Sequence, residues 1–172
     1  MSKLLRTFPA MLAATGLSIS LNAMAATTNT NVGVTTNVIA NCSVTSTPIA
    51  FGSYDPISAT AVTAEGTLSI RCTRGTAPSV AMGDGNNFSG GSRRMTDGTA
   101  FLSYNVFTPA SNAPAASCAG ASTPYPSIAP GFVLTAAPSN AARSYNICGQ
   151  IPASQDVSAG AYSDTVVATI TF

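Results

Sequence analysis

The stretch AYSDTVVATITF (residues 161–172) decides the fold, because apolar side chains alternate there with small polar ones, as in a β-strand. Asp164 interrupts the apolar face, and serine and threonine occupy most of the other face. The apolar face comprises Tyr162, Val166, Ala168, Ile170 and Phe172. A strand this apolar usually has neighbours on both sides, and an uncovered apolar edge promotes aggregation. The sequence ends at Phe172, so either the N-terminal segment closes the sheet or another chain covers this edge.

The stretch TNTNVGVTTNVIANC (residues 28–42) raises the same question from the other end of the chain. Valines recur there at every second or third position among small polar residues, and residues 32–40 alternate. This pattern predicts a strand whose pairing partner is not evident from the sequence.

The rest of the chain reads as short strands separated by turn residues, with no convincing helix after residue 25. A turn signal about every ten residues favours a β-sandwich or barrel. Residues 108–130, rich in Pro, Ala and Ser, form the longest irregular segment. The further predicted strands are 48–56, 66–72, 78–82, 99–107, 131–137 and 143–151.

The N-terminus has the pattern of a secretory signal peptide over residues 1–25. Lys3 and Arg6 precede an apolar run over residues 8–21, and Ala23-Met24-Ala25 supplies the small residues of a cleavage site. The run is short for a membrane anchor, so we expect export. No later apolar segment is long enough to span a bilayer, and we expect no membrane insertion.

Charge and composition argue against several classes of function. Removing Lys3 and Arg6 leaves five basic and six acidic side chains, a net charge of −1, which provides no footprint for nucleic acid. Histidine is absent, which removes the usual general base and the Ser-His and Cys-His pairs. The acidic residues are scattered, several beside Gly or Pro. We therefore expect no enzyme activity, no metal and no cofactor.

Four cysteines follow the export signal, so we expect disulfides. Two sequence separations are equal, Cys42 to Cys72 and Cys118 to Cys148, which favours these pairs but leaves the other two connectivities open. A zinc site usually contains close cysteine pairs such as C-x-x-C, and the sequence has none, which argues against zinc binding.

Three segments resemble the spore coat protein U domain, the pilin domain of archaic, Csu-type chaperone–usher systems. GAYSDTVVATITF (160–172) resembles the terminal G-x-Y-x-D-x-hydrophobic strand of that family. LSYNVF (102–107) resembles its central strand, and LSIRC (68–72) resembles the strand that carries the second cysteine of a pair. The resemblance extends from about residue 32 to residue 172.

The resemblance implies an all-β, immunoglobulin-like sandwich that lacks its last strand and is completed by a donor strand from a neighbouring subunit. Residues 26–41 would form the N-terminal extension, and residues 42–172 would form the pilin domain. A Cys42–Cys72 disulfide would tie the start of this domain to its second main strand, whereas a Cys118–Cys148 pair rests on spacing alone. The donor positions would be Val32, Val34, Thr36 and Val38, and the acceptor groove would be bordered by Val166, Ala168, Ile170 and Phe172.

The implied function is structural: a subunit of a surface pilus that supports adhesion and biofilm formation. The implied partners are a periplasmic chaperone, an outer-membrane usher and neighbouring pilin subunits, and the implied route leads through the periplasm to the cell surface. The alternative is a secreted carbohydrate-binding or tip-adhesin sandwich, for which Tyr54, Phe88 and Tyr125 could form an aromatic platform.

Overall fold

The structure is a computed structural model that describes residues 24–172. Residues 1–23, which contain most of the predicted signal peptide, lie outside the described residues. The chain divides into two units, Met1–Thr36 and Asn37–Phe172. In the described part of the first unit, residues 24–36, every residue is exposed and none belongs to a helix or strand.

The second unit is all-β, and residues 24–172 contain no helix. A membrane-spanning helix is accordingly not found in this part of the chain. The strands are β1 (Cys42–Thr47), β2 (Val62–Cys72), β3 (Ser79–Met82), β4 (Arg93–Thr96), β5 (Phe101–Phe107), β6 (Phe132–Val133), β7 (Arg143–Ile151) and β8 (Ala168–Thr171).

The strands form two antiparallel sheets that share one apolar core. The five-stranded sheet has the order β1-β2-β7-β5-β4, and the three-stranded sheet has the order β6-β3-β8. Alternate residues of each long strand face the other sheet, as the period of two requires. The buried core includes Leu68, Ile70, Val80, Met82, Leu102, Tyr104, Val106, Tyr145, Ile147 and Ile151. This arrangement is an immunoglobulin-like β-sandwich, as the family resemblance implies.

The predicted strand at residues 48–56 is wrong, because the structure has no strand there, and the segment ends in a turn. The Ser58 amide donates to the Asp55 carbonyl over 3.1 Å. Residues 48–51 instead leave the ladder of β1 and place Ile49 and Phe51 over the inner face of the large sheet. A Cβ atom on Gly149 would lie 2.5 Å from Ile49 Cγ2 and 2.8 Å from Phe51 Cζ. The glycine therefore leaves the space that these two side chains occupy.

The terminal strand is much shorter than residues 161–172, because this segment passes from one sheet to the other. Ser163 exchanges two backbone hydrogen bonds of 3.0 Å with Thr96 of β4 in the five-stranded sheet. Only residues 168–171 join the three-stranded sheet, where they pair with β3. The alternation of burial nevertheless continues over residues 161–170. The predicted strand at 131–137 is likewise reduced to the two residues of β6.

The structure contains two disulfides, Cys42–Cys72 and Cys118–Cys148, the pairs that the equal spacing favours. The second ties the irregular segment 108–130 to β7. This segment also connects the sheets, because the Tyr125 amide donates to the Val106 carbonyl over 2.9 Å and the Met82 amide donates to the Pro126 carbonyl over 2.8 Å. A long loop that lacks its own strands is thus held at several points along its length.

Candidate functional site: the groove between β1 and β8

The two sheets have four edge strands within residues 24–172, and two of these, β1 and β8, border the candidate site. β1 pairs with β2 and lies at the end of the five-stranded sheet, and β8 pairs with β3 and lies at the end of the three-stranded sheet. The outer edge of each therefore presents backbone N–H and C=O groups that no described strand pairs with.

The inward face of β1 is exposed where a complete sandwich would bury it. Val44 and Ser46 lie directly opposite Ile70 and Leu68 in the ladder, so all four side chains point to the same face. Leu68 is 1% exposed, whereas Val44 is 39% exposed. Nothing among the described residues covers the end of this face.

β8 has a similar half-covered face. Ala168 and Ile170 lie opposite Met82 and Val80, which are both buried, yet Ala168 and Ile170 are only half-buried. Val166 continues this face before the strand begins and is also half-buried. Phe172, the last of the four residues expected at the groove, follows the ladder and is 55% exposed.

A groove with a cavity volume of about 390 Å³ separates β1 from the segment that leads into β8. Val166 and Ala168 line it on one side, and Val44 to Thr47 line it on the other. Ile170 and Phe172 do not line this cavity. The floor is largely apolar and consists of Leu68, Met82, Met95, Tyr104 and Ile147.

Ile49 and Phe51 close one end of the groove. They also line a second cavity of about 570 Å³, which lies between residues 49–56 and residues 157–162. The Phe51 ring packs against Tyr104, with 6.4 Å between ring centroids. The pair Ile49 and Phe51 therefore forms a wall between the two cavities. The sequence analysis missed this wall because it assigned residues 48–56 to a regular strand.

Asp164 is a polar residue in the lining of the groove, and it fastens the terminal segment to two other parts of the sandwich. Its Oδ2 accepts a hydrogen bond of 2.6 Å from the Tyr104 hydroxyl, and its Oδ1 accepts one of 2.9 Å from the Asn86 amide. Burial, the hydrogen bond to Asp164 and its charge together raise the pKa of Tyr104. The Asp that interrupts the apolar pattern thus has a structural role.

Replacing Asp164 with alanine is expected to lower the free energy of unfolding by about 2 kcal/mol, because the buried Tyr104 hydroxyl loses its partner. The Asn86 amide should also lose its protection from hydrogen exchange. Asp164→Asn is the matched control and should have a smaller effect, since the amide can still accept from Asn86. Calorimetry and hydrogen exchange on protein in one assembly state measure both effects; equal losses in the two variants would contradict this role.

Arg93 is a further residue whose role the sequence does not reveal, because two adjacent arginines are typical of a solvated basic turn. Arg93 lies in β4 and donates through Nη2 to the Met82 carbonyl and through Nε to the Gly83 carbonyl. It thereby caps the end of β3 beside the groove. Nothing in the local sequence distinguishes it from a surface arginine.

The expected donor residues lie in a segment without secondary structure. Val32, Val34 and Val38 are 80%, 91% and 77% exposed, and Thr36 is exposed as well. Val32, Val34 and Thr36 belong to the first unit and Val38 to the second. Isolated apolar side chains on a surface are common, but apolar side chains that recur at alternate positions of a segment without secondary structure are suited to strand addition.

The chemistry available at the groove is that of strand binding. Within residues 24–172, His, Cys, Asp and Glu side chains nowhere gather in a group of three that could hold a metal ion. Two free backbone edges above an apolar floor instead match an extended peptide with alternate apolar side chains. The aromatic platform considered from the sequence does not form, because Tyr125 is buried and Tyr54 donates its hydroxyl hydrogen to the Pro152 carbonyl.

Comparison with known proteins adds a family to this geometry. A family model for the Spore Coat Protein U domain matches residues 28–169. Protein U of Myxococcus xanthus is 32% identical over 181 aligned residues, which cover 95% of each chain.

Among solved structures, the chain resembles one in the chaperone–tip adhesion subunit pre-assembly complex from the archaic chaperone-usher Csu pili of Acinetobacter baumannii. The TM-score is 0.54 and the sequence identity is 23%, over 78% of this chain. The match spans 40% of the length of that chain, and at this identity it describes the fold alone.

Proposed function

This chain belongs to the Spore Coat Protein U domain family, and we propose that it is a structural subunit of a chaperone–usher pilus, polymerised by donor-strand exchange. The observation that carries the proposal is the open groove between β1 and β8, which needs one more strand. Residues 26–41 of a neighbouring subunit supply that strand, and residues 42–172 form the domain that receives it.

The energetics of this exchange are favourable on both surfaces. A strand inserted between β1 and β8 pairs with two free edges, and each new backbone hydrogen bond contributes roughly 0.5–1.5 kcal/mol. Its inward side chains cover the apolar floor at about 25 cal/mol per Å² removed from water. Val32, Val34, Thr36 and Val38 are the proposed inward residues of the donor. Val166, Ala168, Ile170 and Phe172 are the proposed border of the acceptor.

The two surfaces differ, so the contact between subunits is heterologous and does not close on itself. Each subunit offers a donor to one neighbour and a groove to another. An interface of this kind produces an open filament.

The proposed partners follow from the exposed groove. A free apolar edge promotes aggregation, so a periplasmic chaperone covers it before assembly and an outer-membrane usher receives the subunit. The subunit crosses the inner membrane by its signal peptide at residues 1–25, passes through the periplasm and ends in a fibre on the cell surface, where the fibre supports adhesion and biofilm formation. The role is structural and not enzymatic.

Deleting residues 26–38 tests the proposal. Co-expressed with an archaic-type chaperone and usher, the variant should still form the chaperone complex, because its groove is intact, but it should form no fibres. The full chain, expressed in the same way, is the control, and electron microscopy and affinity purification of the chaperone complex are the readouts. Normal fibres from the deleted variant, or a stable monomer from the full chain with its groove unfilled, would sink the proposal.

A further inference from the structure

The chain directly before β1 is held in line with that strand by Thr73. The Thr73 amide donates to the Asn41 carbonyl over 2.9 Å, and the Asn41 amide donates to Thr73 Oγ1 over 3.0 Å. The Thr73 hydroxyl can in turn donate to the Ile39 carbonyl at 3.3 Å. These bonds extend the β1–β2 ladder by one pair beyond Cys42 and Cys72.

The Cys42–Cys72 disulfide lies immediately beside these bonds and fixes the point at which the segment leaves the domain. The residues of this part of the chain that line the groove are 44–49 and Phe51, which follow Cys42 in the sequence, whereas residues 39–41 precede it. The segment at residues 39–41 therefore leads away from the groove. The hydroxyl of Thr73 acts on it directly, because it bonds the backbone on both sides of Ala40.

For the donor residues to enter the groove of their own subunit, the chain would have to reverse beside β1. Only Ile39, Ala40 and Asn41 separate Val38 from Cys42, so the reversal would fall on these three residues. A tight turn there requires different backbone dihedrals and breaks the hydrogen bonds to Thr73. Self-insertion thus competes directly with the Thr73 contacts.

We propose that Thr73 is a positioning residue that holds the donor segment out of the groove of its own subunit and so favours donation to a second copy. This inference rests on the proposed function and adds to it a residue that favours donation between subunits over self-insertion. Each chain carries both a donor segment and a groove, so the main competing product is a self-capped monomer, in which the donor fills the groove of its own subunit. Such a monomer would leave the assembly pathway. Thr73 selects against that product without touching the groove.

The test compares the wild-type mature chain, Thr73→Val and Thr73→Ser, each oxidised and refolded alone by dilution. Valine keeps the branched shape and the backbone amide but removes the hydroxyl, whereas serine keeps the hydroxyl. Native mass spectrometry measures the fraction of soluble monomer over a range of protein concentrations. Hydrogen exchange measures whether residues 32–38 are protected in that monomer.

We expect Thr73→Val to raise the self-capped monomer relative to oligomers by roughly 5-fold to 30-fold, the effect of losing one or two hydrogen bonds. Residues 32–38 should be protected in this monomer, and its fraction should fall as the protein concentration rises, because donation to a second copy is bimolecular and self-insertion is not. Thr73→Ser should behave as the wild type. If Thr73→Val and wild type give equal monomer fractions while oligomers form, the role of Thr73 is refuted and donor exchange stands. If the wild type forms no oligomer that depends on residues 26–38, the proposed function itself fails.

Discussion

Replacing Val34 with aspartate is expected to stop polymerisation, whereas the same replacement at Thr35 leaves it nearly unchanged. The two positions are adjacent in the extension, but in a strand their side chains point to opposite faces. With Val32, Val34, Thr36 and Val38 directed into the groove, Val34 meets an apolar floor and Thr35 meets solvent. The pair therefore tests the donor register as well as the donor itself.

The expected effect at Val34 is large, because a carboxylate would be placed over apolar side chains. Moving a charged group from water into a protein interior costs several kcal/mol, and in a buried ion pair the attraction of the partner offsets this cost. The carboxylate at position 34 would have no such partner. Asp164, the acidic residue already in the lining, would add repulsion. A loss of only about 3 kcal/mol already weakens an interface roughly 100-fold.

Oligomer ladders and sedimentation of the two full-length variants measure the effect, with both carrying the same added charge. Val34→Ile serves as an apolar control and should polymerise like the wild type. A block by Thr35→Asp with normal assembly of Val34→Asp would reveal a register shifted by one residue, since such a slip exchanges the two faces. Equal behaviour of the two aspartate variants would contradict a specific donor strand at these positions.

The regular parts of the fold could be predicted from local pattern. β2 and β5 alternate without interruption, and β7 alternates except at the disulfide-bonded Cys148. Each has an inward face of buried side chains such as Ile70, Tyr104 and Ile147. Their periodicity depends only on the pleat of a strand between two neighbours. The sequence therefore contained the position of the core and the sandwich class.

The elements that shape the groove could not be predicted, because distant residues determine them. Residues 48–51 depart from β1 because the inner face of the sheet lacks side chains at Gly66 and Gly149, which are 15 or more positions away in the sequence. Asp164 interrupts an apolar face because its partners lie in β5 and in the turn after β3. The local sequence pattern does not assign a role to such residues, because their contacts are with residues far away in the sequence.

The donor side of the site stays a prediction, and it rests on the opposite kind of signal. Residues 26–41 are all exposed, so the alternating valines are not explained by any core among the described residues. An apolar pattern that no such core absorbs is a signal for an external surface. The hydrogen bonds from Thr73 to the chain before β1 could not be predicted, since one threonine after a cysteine has no distinctive pattern.

The wall at the end of the groove gives the second large effect. Gly149→Ala is expected to lower the free energy of unfolding by about 1–3 kcal/mol through overpacking against Ile49 and Phe51. Phe51→Ala alone should cost about 3 kcal/mol, the lower end of the range for a phenylalanine in a core. In the double variant the new methyl group partly fills the space left by the ring. The loss in free energy of unfolding of the double variant should therefore be about 1 kcal/mol smaller than the sum of the losses of the two single variants.

Gly66→Ala is the matched control for this cycle, because it is on the inner face of β2 and crowds Ile49 but does not have Phe51 among its nearest atoms. Combined with Phe51→Ala, it should give additive losses. Calorimetric unfolding of the six proteins (the wild type, three single variants and two double variants), all in the same assembly state, supplies the coupling energies. Additivity in both cycles would mean that Phe51 does not pack into the space at Gly149, and the wall between the two cavities would then have to rest on Ile49 alone.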